Sequence, residues 1–101
     1  MKSILLVDDN HDFLDILSYA LKKAKINVVL ADSVNEAIYK INNIKFDLIC
    51  SDYEMEGKNG LDLLKHLRES NINTKFIMLT GKEDFTLQKE VEIRNAIFLN
   101  K

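Results

Sequence analysis

Five short apolar runs, separated by segments of helical periodicity, are the feature that most constrains the fold of this chain. The runs lie at residues 4–7, 26–31, 46–50, 76–79 and 96–99. Three intervening segments carry apolar residues at steps of three and four, whereas the polar segment at 82–95 fits a helix only loosely. Strands that alternate with helices predict βαβ units and a parallel sheet.

Length and charge narrow the class of protein. A chain of 101 residues is long enough for one domain and too short for two. The net charge of −2 gives no electrostatic footprint for nucleic acid or for an anionic membrane surface. No apolar stretch approaches the roughly 20 residues of a membrane helix, and the first run is too short for a secretory leader. We therefore expect a cytoplasmic protein with no direct nucleic-acid or membrane partner.

Local signals mark several boundaries. Ser33 and Glu36 have the spacing of a capping box, which predicts a helix start before the apolar stripe that ends at Ile44. Gly57 and Gly60 predict a loop at 54–60 that uses their backbone freedom. The single cysteine, Cys50, cannot form an intramolecular disulfide, and we interpret it as a small buried thiol.

Polar side chains follow four of the predicted strands. Asp8 and Asp9 come after the first strand, Asp52 after the third, Thr80 after the fourth and Lys101 after the fifth. Ligands of open parallel sheets bind outside the carboxyl ends of the strands. We therefore expect three carboxylates, one hydroxyl and one ammonium to converge on one edge of the sheet.

This set of groups suits metal-assisted phosphate chemistry. Oxygen ligands without sulfur or imidazole fit a hard cation such as Mg²⁺. A carboxylate can itself be the nucleophile and form an aspartyl phosphate, while a hydroxyl, a lysine and a metal neutralise the phosphoryl oxygens. Taken singly, each residue has a plainer interpretation: Asp8 and Asp9 as a solvated turn or as charge at a helix N-terminus, Asp52 as a loop residue, and Thr80 as a helix cap.

The ordered motifs resemble the receiver domain of bacterial two-component response regulators over the whole chain, residues 1–101. The resemblance implies a flavodoxin-like, doubly wound, five-stranded parallel sheet in the order 2-1-3-4-5. The matching pieces are Val7-Asp8-Asp9-Asn10, Ser51-Asp52-Tyr53-Glu54-Met55 with Gly60, Leu79-Thr80-Gly81, and Phe98-Leu99-Asn100-Lys101.

The resemblance also implies a phosphoacceptor rather than an enzyme in the usual sense. Asp52 would take a phosphoryl group from a phosphohistidine on a sensor histidine kinase or a phosphotransfer protein, switching the domain from an inactive to an active state. Asp9, Asp52 and the backbone carbonyl of Glu54 would ligate Mg²⁺ directly, and Asp8 would act mainly through water.

Further roles follow from position in the motifs. Lys101 would pair with Asp52 and then with a phosphoryl oxygen, and Thr80 would move to hydrogen-bond the phosphoryl group. Phe98 matches the switch aromatic of the family, although a plain core aromatic is the alternative. Glu54 and Lys82 stand at the two positions that tune hydrolysis. Their opposite charges predict a pair over the acceptor that hinders the attacking water and slows dephosphorylation.

The sequence departs from the family pattern at three places. Glu56 replaces the usual proline after the methionine, and Arg94-Asn95 replaces a Gly-Ala pair. These two replacements lie outside the group of carboxylates, hydroxyl and lysine that would carry the chemistry, so they are expected to affect loop shape rather than phosphorylation. The chain also ends at Lys101, where the family continues with a proline and a fifth helix. We therefore expect an uncovered apolar sheet face and a homodimer, or another partner, that covers it.

Two other classes of function remain open at this point, an enzyme and a binding module. An aspartate-dependent phosphohydrolase would place a second acid two residues after its nucleophile, as Glu54 stands after Asp52, but the chain lacks room for a cap domain. A receiver fold that signals without phosphate is favoured by nothing in the sequence. A flavin or dinucleotide module is weaker still, because none of the three glycines forms a phosphate-binding loop after a strand.

Overall fold

A computed structural model describes residues 2–101, which form one parallel five-stranded sheet with helices on both faces. The strand order is β2-β1-β3-β4-β5, so the predicted doubly wound topology is confirmed. The strands are β1 (Ser3–Val7), β2 (Asn27–Ala31), β3 (Leu48–Asp52), β4 (Lys75–Thr80) and β5 (Ile97–Asn100). The helices are α1 (His11–Lys23), α2 (Val34–Asn43), α3 (Gly60–Glu69) and α4 (Phe85–Glu92).

Side-chain caps define where the helices begin. Ser33 accepts a hydrogen bond from the Glu36 backbone N–H at the start of α2, as the capping-box spacing predicts. The second hydrogen bond of the predicted capping box differs. The Glu36 carboxylate accepts from the backbone N–H of Asp32 instead of that of Ser33. A complete capping box occurs at the start of α3, between Asn59 and Asp62.

The strand boundaries differ from the predicted ones in a way that matters for the site. The third strand begins two residues later than expected and includes Asp52, and the fourth includes Thr80. Both residues belong to the ladder, since Asp52 lies opposite Leu79 and Thr80 lies opposite Asn100. Ile44, expected to continue the stripe of α2, is the extended residue that caps it.

One face of the sheet holds most of the hydrophobic core. Parallel register brings side chains of neighbouring strands to the same side, and α2, α3 and α4 complete the cluster on this face. Its fully buried members include Leu5, Ile49, Leu63, Leu64, Leu67, Phe76, Met78 and Val91. This rigid layer fixes the positions of the strand ends that carry the polar residues.

The opposite face is only partly covered. Leu17 and Leu21 of α1 line an apolar cleft of 180 Å³ together with strand residues of this face, which are Ile4, Leu6, Leu48, Cys50 and Ile77. Ile97 and Leu99 continue the same side of the sheet through their pairing with Ile77 and Leu79, and they are 54% and 46% exposed. Within residues 2–101 no helix follows β5, as expected from the sequence.

Arg94-Asn95, which replaces the Gly-Ala pair of the family, forms the turn before β5. Asn95 adopts a left-handed backbone conformation with φ of 57°, which asparagine tolerates better than most residues. The Arg68 guanidinium donates to the carbonyls of Arg94 and Ile72, both at 2.8 Å, and to that of Thr74 at 3.0 Å. Arg68 therefore ties the turn before β5 to the loop before β4.

In the part of the chain that the structure describes, no helix has the length and apolar character needed to cross a bilayer.

Candidate functional site

Three carboxylates meet at the carboxyl edge of the sheet. Asp8 and Asp9 follow β1 directly and Asp52 ends β3, and each offers an oxygen within 4.8 Å of the others. Asp8 and Asp52 are 2% and 6% exposed, whereas Asp9 faces solvent. The register of β1 against β3 pairs Val7 with Ser51, which places the next residues of both strands side by side.

Lys101 is the cation that faces this acidic cluster. Its Nζ lies 2.9 Å from Asp52 Oδ1 and 3.6 Å from Asp8 Oδ2. Its backbone N–H donates to the Thr80 carbonyl at 2.7 Å, which continues the β4–β5 ladder beyond the end of β5. One ammonium therefore contacts two of the three carboxylates, and the cleft keeps an excess of negative charge.

The pKa shifts reflect this imbalance. Burial raises the pKa of Asp52, and the charges of Asp8 and Glu54 raise it further, against the opposing effect of Lys101. Burial opposes the charge on Lys101, but its hydrogen bond to Asp52 and the nearby carboxylates outweigh this and raise the Lys101 pKa. Asp8 and Glu54 thus lie close enough to Asp52 to disfavour its ionisation.

The donor set fits a hard divalent cation. Asp8 Oδ1 accepts from the Asn10 N–H at 2.9 Å, whereas the buried Asp8 Oδ2 makes no hydrogen bond among the described residues and has the Lys101 ammonium at 3.6 Å as its counter-charge. This ammonium is shared with Asp52, so a single positive charge faces two buried carboxylates, and a second cation would lower the cost of burying them. The cluster offers only oxygen ligands, which is the chemistry that Mg²⁺ prefers.

Glu54 and Lys82 lie at the mouth of the site, beside Thr80. Lys82 Nζ is 4.0 Å from Glu54 Oε2, so the pairing expected from their charges is present. Thr80 is completely buried; its hydroxyl donates to Glu54 Oε1 at 3.5 Å and accepts from the Lys82 N–H at 3.2 Å. The open cleft has a volume of 350 Å³ and is lined by Asp8, Asp9, Asn10, Asp52, Glu54, Gly81 and Lys101.

Phe98 lies outside this cleft. It is half-buried against the core and lines a separate cleft of 410 Å³ together with Phe85 and Gln88 of α4. Phe98 pairs with Met78, two positions before the pair of Thr80 with Asn100. It therefore shares a side of the sheet with Thr80, and its part in switching stays a prediction.

Three residues at the site were not assigned to it from the sequence. The ring of Phe13, in the first turn of α1, lies 5.1 Å from Lys101 Nζ. Gly60 has no room for a side chain, because a Cβ there would lie 2.4 Å from the Asp52 carbonyl oxygen. The Glu56 N–H donates to Asp9 Oδ2 at 2.9 Å. Glu56 was expected to lie outside the group of residues that carry the chemistry. Its backbone N–H contacts Asp9, so that expectation is wrong for the backbone of Glu56.

A flavodoxin-like sheet whose carboxyl edge carries an acidic cluster, a lysine and a threonine defines a receiver-type signalling domain. The chain belongs to the response regulator receiver domain family, whose model matches residues 4–101. Members of this family are phosphoacceptors rather than classical enzymes, which weighs against the phosphohydrolase alternative.

Two curated relatives illustrate the family. The alkaline phosphatase synthesis transcriptional regulatory protein PhoP of Bacillus subtilis is 32% identical over 83 residues, covering 82% of this chain and 35% of PhoP. The transcriptional regulatory protein CpxR of Escherichia coli is 37% identical over 82 residues, covering 81% of this chain and 34% of CpxR. The chain thus spans about a third of the length of these relatives.

Solved structures share the whole fold. The receiver domain of the Francisella response regulator 1452 aligns with a TM-score of 0.93 at 27% identity, covering all of this chain and 84% of that one. Response regulator protein TrrA from Thermotoga maritima, in complex with Mg²⁺-BeF, aligns with a TM-score of 0.88 at 27% identity, covering all of this chain and 87% of that one.

Proposed function

We propose that this domain receives a phosphoryl group on Asp52 from a phosphohistidine of a sensor histidine kinase or phosphotransfer protein. A carboxylate oxygen of Asp52 attacks phosphorus as the phosphorus–nitrogen bond breaks, and the freed imidazole takes up a proton. The observation that carries the proposal is the buried Asp52 carboxylate held 2.9 Å from Lys101 inside an acidic cluster. This geometry supports a nucleophile with its counter-charges already in place.

The transfer is proposed to require Mg²⁺. Asp9, Asp52 and the Glu54 carbonyl would hold the ion directly, and Asp8 would hold it through water. When bound, the ion neutralises the carboxylates and the phosphoryl oxygens. The two buried carboxylates of Asp8 and Asp52, which share one ammonium, and the raised pKa of Asp52 support this need for a cation.

Lys101 and Thr80 are proposed to bind the phosphoryl group once it is attached. Lys101 already contacts Asp52 and can transfer its contact to a phosphoryl oxygen. The Thr80 hydroxyl must leave Glu54 to reach the same group, and that bond is long at 3.5 Å. Movement of Thr80 is proposed to let Phe98 move inward, which would convert the inactive state into the active one.

A labelling experiment tests this function. The protein is incubated with Mg²⁺ and acetyl phosphate, and its intact mass is compared with that of Asp52→Asn. We expect one added phosphate on the wild type, lost in the variant and lost with a chelator. An unlabelled wild type, or equal labelling of the Asn variant, would exclude Asp52 as the acceptor.

The Glu54–Lys82 pair is proposed to slow hydrolysis of the acyl phosphate. Both side chains are well exposed, so the pair contributes little to stability. Its position at the mouth of the cleft supports an effect on the attacking water instead. Glu54→Gln combined with Lys82→Gln should shorten the lifetime of phosphorylated protein after the donor is removed. An unchanged lifetime would contradict this role.

The uncovered sheet face is proposed to bind a second copy of the chain. The cleft under α1 is lined by apolar side chains only, and the half-exposed Ile97 and Leu99 extend it toward the sheet edge. Contiguous apolar surface of this kind is typical of protein contacts.

A further inference from the structure

The loop between β3 and α3, residues 53–59, is joined to Asp9 by one hydrogen bond from its backbone to the Asp9 side chain. The Glu56 N–H donates to Asp9 Oδ2 at 2.9 Å, between residues 47 positions apart in sequence. Asp9 is exposed, so no packing holds its side chain in one rotamer. This contact is the restraint that the structure provides for a carboxylate at the entrance of the site.

The same bond also restrains the loop, beside the packing of Met55 against the core. Within residues 2–101, Glu56 carries the one backbone N–H between Glu54 and Lys58 that makes a hydrogen bond. Glu54, whose carbonyl is a proposed metal ligand, stands two residues before it. The bond therefore links a proposed carboxylate ligand, Asp9, to the segment that bears a proposed carbonyl ligand, Glu54.

We infer that Glu56 is a positioning residue for divalent cation binding, acting through its backbone N–H on Asp9. The inference rests on the proposed function, since it concerns the same Mg²⁺ site. With Oδ2 engaged by the amide, Asp9 keeps Oδ1 for the cation in a side chain that is already ordered. Ordering a ligand before binding reduces the entropy lost on binding. A proline at position 56 would have no backbone N–H, so the hydrogen bond to Asp9 requires a residue other than proline, such as the glutamate of this chain.

Glu56→Pro and Glu56→Ala make a matched pair. Both remove the carboxylate and change the net charge equally, but only proline removes the N–H. Mg²⁺ binding is measured by titration calorimetry on unphosphorylated protein without a phosphodonor. We expect the proline variant to bind about fivefold more weakly than the alanine variant, as the loss of one hydrogen bond of about 1 kcal/mol implies. The alanine variant should remain within about twofold of wild type, because its amide is intact.

The outcomes separate two failures. Equal affinities of the proline and alanine variants, with normal binding by wild type, would overturn the positioning role alone. A wild type that binds no Mg²⁺ would overturn the metal dependence of the proposed function as well.

Amide exchange gives a second measurement if the proline variant does not fold. The Glu56 amide of the wild type should exchange with solvent slowly by nuclear magnetic resonance, and at least about tenfold faster in Asp9→Ala. Rapid exchange of this amide in the wild type would overturn the inference.

Discussion

At the scale of single residues, Lys101 decides much of the electrostatics of the site. It contacts Asp52 and Asp8, and its stem and ammonium remain 36% exposed. A long, partly exposed side chain needs a second restraint to keep one geometry. The ring of Phe13 provides that restraint from α1.

Replacing Phe13 should slow phosphorylation. A cation over an aromatic ring gains about 0.5–1 kcal/mol at an exposed site, so Phe13→Leu should lower the labelling rate by roughly two- to fivefold. Phe13→Tyr keeps the ring and should stay near the wild-type rate. The initial rate of acetyl phosphate labelling measures both, and a Leu variant as fast as wild type would exclude a role for the ring.

Cys50 gives a prediction on pH dependence. Burial, followed by the charge of Asp8, raises the pKa of its thiol from 9.0 to about 11. The thiolate is the reactive form, so alkylation at neutral pH should be on the order of a hundredfold slower than for an ordinary thiol. The rate should rise with pH until about 11. Urea-unfolded protein is the control, and equal rates for folded and unfolded protein would contradict the shift.

At the scale of elements, the junction between β3 and α3 sets the position of the acceptor. Gly60 begins α3, and its N–H donates to the Tyr53 carbonyl at 3.0 Å. The helix approaches the sheet so closely that an added Cβ would lie 2.4 Å from the Asp52 carbonyl oxygen of β3 and 2.6 Å from Met78 Sδ of β4. Glycine is required here for space rather than for the backbone freedom expected from the sequence.

Gly60→Ala should therefore lower the free energy of unfolding by about 1–3 kcal/mol, as overpacking in a filled core usually does. Gly81→Ala is the matched control, because a Cβ there meets nothing within 4 Å. The control should change stability by less than about 1 kcal/mol in either direction. Urea unfolding followed by circular dichroism compares the two, and an equally stable Gly60 variant would show that the junction can relax.

At the scale of the whole molecule, the two faces of the sheet differ in how they are covered. Three helices bury one face, whereas α1 leaves part of the other open around Cys50 and Ile77. Successive side chains of each strand point to opposite faces of the sheet. Both faces are therefore formed by the same strands whose carboxyl ends carry the candidate site. A partner on the open face would therefore contact β1, β3 and β5, at whose carboxyl ends Asp8, Asp52 and Lys101 lie.

Self-association through this face should respond to charge. Ile97→Lys combined with Leu99→Lys places two ammonium groups on the open face and should keep the protein monomeric by light scattering. The wild type should show a rising mean mass with concentration and increasing protection of Cys50 from alkylation. A wild type that stays monomeric at high concentration, with little binding of an apolar dye, would exclude this contact.

The sequence determined the fold class and the composition of the acidic edge. Apolar runs alternating with helical stripes follow from local burial, and the carboxyl ends of parallel strands necessarily share one edge. Asp8, Asp9, Asp52 and Lys101 could therefore be placed together without coordinates.

Tertiary structure alone decided the contacts made by backbone and by close packing. The bond from the Glu56 amide to Asp9, the ring of Phe13 beside Lys101, and the space that Gly60 leaves for Asp52 all join segments distant in sequence. A residue type does not encode the partner of its own N–H, and a helical stripe does not distinguish a core ring from one beside a lysine. Such contacts arise only when packing fixes the distances between elements.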